Sequence, residues 1–192
     1  MKNVIILASA SPRRKELLKQ VGIPYVVDPA DVDESIRSGE SPEVYAVRVA
    51  LDKARVAARR AVKGIVLAAD TIVVVDDSIL GKPADAEDAA RMLTQLSGRE
   101  HEVITGVALI NTDLGTEQTR AESTRVKFRN LTEQEVRSYV ATGEPLDKAG
   151  SYAIQGKGAL LVESITGCYF NVVGLPLSAV ESMLQEHGVD LW

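Results

Sequence analysis

The sequence contains one cysteine, Cys168. No disulfide can form within the chain, and a cysteine-rich zinc site is excluded. So few thiols fit a reducing compartment. The two histidines, His101 and His187, lie far apart without ligand spacing, which argues against a histidine-held metal. Aromatic residues make up 4% of the chain, too few for the stacking platforms of single-strand nucleic-acid binders. Positive charge is also short. The formal net charge is −5, whereas non-specific binding to a phosphate backbone needs a surplus of Lys and Arg. Long apolar runs are missing. Val4-Ile5-Ile6-Leu7-Ala8 is too short for a secretory h-region, and Arg13-Arg14-Lys15 follow it instead of preceding it. No stretch approaches the length of a membrane span. These absences lead us to expect a cytoplasmic protein that uses neither a membrane nor a nucleic acid.

What is present is ordinary globular material: 45% hydrophobic and 26% charged residues in 192, enough for one domain spanning 1–192 or two lobes sharing a core. The apolar run Val4–Ala8 reads as a buried strand. Ser11-Pro12 caps and opens a helix that Gly22 stops. Tyr25-Val26-Val27 is a second strand candidate, and the acidic stretch 28–40 is a loop. Ser41-Pro42 opens a long helix reaching about Lys63, with an apolar stripe of Val47, Ala50, Leu51, Ala54, Ala58 and Ala61. Arg48, Asp52, Arg55 and Arg59 take its opposite face. Residues 65–75 are β-prone, and Asp85 with Asp88 can cap a helix to Leu96. Strands are expected at 103–110, 123–128, 159–165 and 171–173. Thr132-x-x-Glu135 is a capping box for a helix to about Ala141, and a last helix covers 176–186. This mixture of crossover-length and hairpin-length gaps implies an α/β protein with a mixed sheet.

Several short constellations could carry chemistry. Ser9-Ala10-Ser11-Pro12-Arg13-Arg14 runs from a strand into a helix N-terminus, where free N–H groups and the dipole favour an anion. Two arginines there oppose the dipole unless an external anion offsets the cost. Asp70 interrupts an apolar run, and the sequence leaves it either at a strand end facing a cleft or in a tight turn. Asp-Thr lacks the Gly or Pro of a typical turn, which favours the cleft. Glu34 belongs to an acidic loop that would ordinarily be solvated. Lys53 has Val49 and Val56 as helical neighbours and so borders the apolar face, free to snorkel outward or point into a cleft. Gly81-Lys82-Pro83 is not a phosphate-binding Walker loop, because Pro follows the Lys and the upstream Gly is missing. Gly156-x-Gly158 is a weak dinucleotide hint, and the Gln155 amide could read a base edge. No Gly-x-Ser-x-Gly elbow is present.

Taken in order, Ser9–Arg14, Asp33-Glu34, Lys53-Ala54, Ala69-Asp70-Thr71, Gly81-Lys82-Pro83, Ser97-Gly98, Thr105-Gly106-Val107, Gly150-Ser151-Tyr152, Ile154-Gln155-Gly156 and Val173-Gly174-Leu175-Pro176 resemble the Maf family. The likeness covers nearly the whole chain. It implies a two-lobed fold like that of inosine-triphosphate pyrophosphatases, with a central cleft. It also implies hydrolysis of nucleoside triphosphates to monophosphate and pyrophosphate with a divalent metal, Mg²⁺ or Mn²⁺. By the same resemblance Asp70 accepts the proton of water, Ser9, Arg14, Lys53 and Lys82 hold the triphosphate, and Glu34 binds substrate and helps hold the metal. On charge grounds Asp70 is as much a candidate metal ligand as a base. Arg13, Thr71 and Gln155 resemble the dTTP/UTP subgroup. The 7-methyl-GTP subgroup has a bulky residue after Ser-Pro, Asp-Gln in place of Asp-Thr and Ser-Glu-Gly in place of Ile-Gln-Gly. The family also makes a homodimer an expectation, and its association with septum formation makes a nucleotide-sensing regulator of cell division the alternative from another class.

Overall fold

A computed structural model describes residues 5–192. Its elements run β1 (Ile5–Leu7), α1 (Pro12–Gln20), β2 (Tyr25–Val27), α2 (Pro42–Ala58), β3 (Ile65–Val75), β4 (Ser78–Leu80), α3 (Ala86–Leu96), β5 (Glu100–Asn111), β6 (Thr116–Phe128), α4 (Glu133–Val140), β7 (Val162–Thr166), α5 (Tyr169–Val173) and α6 (Leu177–Glu186). Three short 3₁₀ turns lie at Glu144–Asp147, Ala149–Ser151 and Gly156–Leu161. Seven strands form one mixed sheet in the order β2-β1-β3-β5-β6-β7, with β4 paired to β3. β1 is parallel to both β2 and β3, with Ile5 opposite Tyr25 on one side and Ile65 on the other. β4 and β7 are antiparallel to their neighbours. Among the described residues no helix is long and apolar enough to cross a membrane.

The α/β expectation is borne out, and the local signals largely hold. Ser41 Oγ accepts the Val44 amide, Asp85 accepts the Asp88 amide, and Thr132 with Glu135 forms the reciprocal capping box. Four expectations are corrected. Ser11 occupies the N-cap of α1 but makes no side-chain cap bond. Its amide is taken by Ser9 Oγ at 3.2 Å instead. α2 stops at Ala58 rather than near Lys63. Residues 159–161 lie in a 3₁₀ turn, and only Val162–Thr166 is strand. Residues 171–173 are helical, because the buried Asn171 amide donates to Val103 O at 2.9 Å and to Thr124 Oγ1 at 3.0 Å, bonds that outweigh β-propensity. Val4, the expected start of the first strand, lies outside the described residues.

The chain divides into two compact units, Met1–Asp70 with Thr105–Glu122 and Gly174–Trp192, and Thr71–Ile104 with Ser123–Val173. The division cuts β3 between Asp70 and Thr71. The first unit packs the alanine face of α2 (Ala50, Ala54 and Ala57) against Ile6, Ala8, Val66, Ala68, Ala108 and Ile110. Small side chains let this helix come close to the sheet. At Gly106 a Cβ would lie 2.3 Å from the Ala46 carbonyl and 2.5 Å from the Val47 amide. The second unit has larger core residues, among them Met92, Leu93, Leu96, Phe128, Tyr139 and Tyr152. His101 is buried there, with Nε2 2.8 Å from the Tyr152 hydroxyl and the ring edge-on to Phe128. Burial pushes its pKa down to about 4, so it is a neutral core residue.

The contact at Gly106 is with backbone and cannot be relieved by rotating a side chain. Gly106→Ala is expected to destabilise the protein by about 1–3 kcal/mol, read from the midpoint of chemical denaturation. A wild-type midpoint would show that α2 is not seated this closely on β5.

Candidate functional site

In the first unit, β1 leads through Ser9 into α1, whose first turn carries no acidic residue. The nearly buried Ser9 Oγ accepts from Arg14 Nη1 at 3.1 Å. Arg14 Nε donates to the Gly174 carbonyl at 2.8 Å. The guanidinium is therefore fixed at two points. Burial draws the Arg14 pKa below its ordinary value, the Asp70 charge opposes this, Arg13 adds to the lowering, and Glu34 opposes it. Arg14 thus lies within electrostatic reach of both carboxylates expected in the site.

Asp70 is neither at a strand end nor in a turn. It sits midway along the continuous 11-residue strand β3, where Asp70 and Thr71 are the two half-buried positions in an otherwise buried run. Its charge is met from α2. Lys53 Nζ lies 2.7 Å from Asp70 Oδ1 and 2.6 Å from Glu34 Oε1. The Lys53 and Asp70 side chains are each 13% exposed and that of Glu34 48%. Lys53 can make this bridge because its stem follows the border of the apolar face while its head reaches the carboxylates.

Glu34 reaches Lys53 because α2 holds its loop by three consecutive carbonyls. Arg48 Nη1 donates to Asp33 O at 3.5 Å, the Tyr45 hydroxyl to Glu34 O at 2.8 Å, and Arg48 Nη2 to Ser35 O at 2.9 Å. Arg48 is also paired with Glu40, Nε to Oε1 at 2.5 Å and Nη2 to Oε2 at 2.9 Å, and its guanidinium lies over the Tyr45 ring. The Arg48 hydrogen bond, against some burial, holds Glu40 down to about 2. Burial and the charges of Asp70 and Glu34 push the Tyr45 hydroxyl up to about 12, which keeps it a donor. Sequence reasoning placed Arg48 on the solvent face and passed over Tyr45 and Glu40. The available signal was the three-residue spacing of Tyr45 and Arg48 just after an acidic residue at the helix entrance.

The second unit carries Thr71, Lys82 and Gln155. Thr71 continues β3 directly after Asp70. Lys82 is exposed between β4 and α3. Its neighbour Gly81 accepts the Gly150 amide at 3.0 Å. Gly150 has φ of +64°, and a Cβ there would sit within 2.9 Å of three Val73 side-chain atoms. Gln155 is half-buried at the entrance of the third 3₁₀ turn. Among the described residues no group of three or more His, Cys, Asp or Glu is placed to hold a metal.

A family model described as Maf-like protein matches residues 4–187. A dTTP/UTP pyrophosphatase of Syntrophomonas wolfei is 51% identical over 96% of this chain and 98% of its own length. One of Moorella thermoacetica is 52% identical over 98% of this chain and 97% of its own. Among solved structures, a HAM1 protein of Coxiella burnetii aligns with TM-score 0.55 and 18% identity over 97% of this chain and all of that one. The Ham1 protein of Staphylococcus aureus aligns with TM-score 0.53 and 16% identity over 96% and 99%. At such identities these two structures speak for the fold alone.

The Arg48 contacts predict how the Glu34 loop responds to mutation and to acid. Arg48→Gln is expected to speed amide exchange at residues 35–37 roughly tenfold, as charge-assisted bonds are lost, while core amides keep their protection. Glu40 is depressed in the folded state, so its contribution is complete above the ordinary carboxylate value and is lost as pH falls toward about 2. The loop should therefore remain protected at pH 4. Wild-type exchange in the variant, or loop opening already at pH 5, would refute this role.

Proposed function

The chain belongs to the Maf family, and from that premise we propose that it hydrolyses dTTP and UTP to the nucleoside monophosphate and pyrophosphate. The observation that carries the reading is the meeting of Asp70 and Glu34 at one ammonium nitrogen, with Arg14 fixed nearby. Full-length identity of about half to relatives bearing that name supports the substrate assignment. A net charge of −5 favours a free nucleotide over a nucleic-acid polymer. The reading extends to a cytoplasmic enzyme acting as a homodimer, as the family resemblance implies.

A triphosphate brings roughly four negative charges near neutral pH. The reading gives Ser9, Arg13, Arg14, Lys53 and Lys82 to these phosphates. Arg14 is suited to a phosphate oxygen because its planar fork is already oriented and partly desolvated. Glu34 and Asp70 would hold a divalent cation, Mg²⁺ or Mn²⁺. The donor set fits, because two carboxylates already converge on a point occupied by positive charge, and Mg²⁺ takes one or two carboxylates together with phosphate and water. The chemistry such an ion supplies is polarisation of a phosphoryl oxygen and a lower pKa for bound water.

Asp70 then orients the attacking water and accepts its proton. Its place inside a buried strand fixes the carboxylate without help from a mobile loop. Lys53 keeps the two carboxylates together before substrate arrives and turns to the incoming phosphate when they are otherwise satisfied. Gln155 and the peptide groups beside it read the O2, N3–H and O4 edge shared by uracil and thymine, with Arg13 and Thr71 as the other subgroup positions. A site built for those hydrogen bonds leaves groups unpaired with cytosine.

Pyrophosphate release with Mg²⁺ from dTTP, UTP, CTP, dATP, GTP and 7-methyl-GTP tests the substrate. Fast release from dTTP and UTP alone is expected. Preference for 7-methyl-GTP would overturn the subgroup, and binding without any release would favour a nucleotide sensor. Asp70→Asn is expected to lower turnover by roughly 10²–10⁴-fold while nucleotide binding persists. Substantial residual turnover would remove Asp70 as the essential base.

A further inference from the structure

The proposed base-reading residue lies in a segment that one carboxylate and one phenol hold from both sides. Glu144 Oε1 accepts from the Tyr139 hydroxyl at 2.9 Å and from the Gly158 amide at 3.1 Å, and Oε2 accepts from the Lys157 amide at 3.2 Å. The Tyr139 hydroxyl also accepts the Ala153 amide at 3.3 Å. Amides on either side of Gln155 thus converge on a single Tyr139–Glu144 pair. Burial raises the pKa of the Glu144 carboxyl, but the Gly158 amide, the Tyr139 hydroxyl, the Lys157 amide and the Lys148 charge together outweigh it and leave the group below its ordinary value. The carboxylate is ionised and faces donors. Its own backbone is fixed by Lys148, whose Nζ donates to Glu144 O at 2.8 Å.

The two glycines of Gly156-x-Gly158 have their explanation here rather than in dinucleotide binding. Gly156 has φ of +64°, and a Cβ on it would come within 2.9 Å of Glu144 Oε2. A Cβ on Gly158 would lie 2.1 Å from Ala153 O and 2.7 Å from the Tyr139 hydroxyl. Only glycine allows the segment to fold this tightly onto the pair.

Base chemistry shows why such a clamp matters. The N3–O4 edge of uracil presents a donor and an acceptor, and the same edge of cytosine presents them in reverse. A primary amide also carries both, and turning it over exchanges them. A freely turning glutamine therefore suits either base and cannot by itself reject cytosine. Rejection requires peptide groups whose direction is fixed. Resting on the reading of Gln155 given above, we propose that Glu144 and Tyr139 are positioning residues that lock the 153–158 segment in one orientation and so set the preference for uracil and thymine over cytosine.

The test compares kcat/KM for UTP and CTP in Glu144→Gln, Tyr139→Phe and Gln155→Ala, with thermal melting and amide exchange at residues 157 and 158 measured alongside. Glu144→Gln keeps the shape but turns a donor toward donors. It is expected to lower the UTP-to-CTP ratio roughly tenfold, mainly through a higher KM for UTP, with CTP hydrolysis unchanged and the two amides exchanging faster. Tyr139→Phe removes one hydroxyl, should shift the ratio the same way by less, and decides the matter if Glu144→Gln does not fold. A wild-type ratio in all three folded variants would overturn the base-reading assignment of this segment and this inference with it. A collapsed ratio in Gln155→Ala together with wild-type ratios in the folded positioning variants would overturn this inference alone.

Discussion

One ammonium group, Lys53 Nζ, stands between two carboxylates, and the first unit is organised around keeping all three in place. Asp70 and Glu34 repel one another in a partly desolvated setting, where charges act more strongly than in water. Each comes from a different kind of support. Asp70 is fixed by the hydrogen bonding of a strand buried on both sides of it. Glu34 rides on a loop with no regular structure, and α2 compensates by binding three of its carbonyls in succession. The same helix supplies Tyr45, Arg48 and Lys53. Its alanine face and the bare Cα of Gly106 bring it near enough to the sheet for Lys53 to reach β3.

The second unit relies on a different balance. Its anchor for the segment around Gln155 is a carboxylate stabilised by backbone amides and a phenol, with Lys148 adding charge from one side. Amide donors have fixed directions, whereas a lysine or arginine head can swing. A carboxylate held this way orients a backbone, and a carboxylate held by Lys53 remains ready to exchange its partner for another cation. The two units thus use the same functional group for opposite purposes, one to fix geometry and one to keep charge available.

Much of this was legible from residues alone. Caps at Ser41, Asp85 and Thr132 marked helix starts because they are local chemistry between groups three residues apart. Ser9, Arg14, Lys53, Glu34 and Asp70 were legible as a set through the ordered motifs, and the fold brings them together in one unit. The misreadings share a cause. Residues 171–173 became helix, and Asp70 proved to lie within a strand. Each depended on a partner distant in sequence or on which strands flank it, and periodicity carries no record of either.

The sequence by itself determined the α/β class, the helix starts and the identity of the charged groups, because each follows from composition or from neighbours within a few residues. Only the tertiary structure decided that Arg48 and Tyr45 serve the Glu34 loop, that Glu144 and Tyr139 brace the Gln155 segment, and that His101 is a neutral core residue. The physical reason is the same throughout. A polar side chain declares its chemistry locally, but its partner, its desolvation and its direction are set by chain segments brought to it through folding.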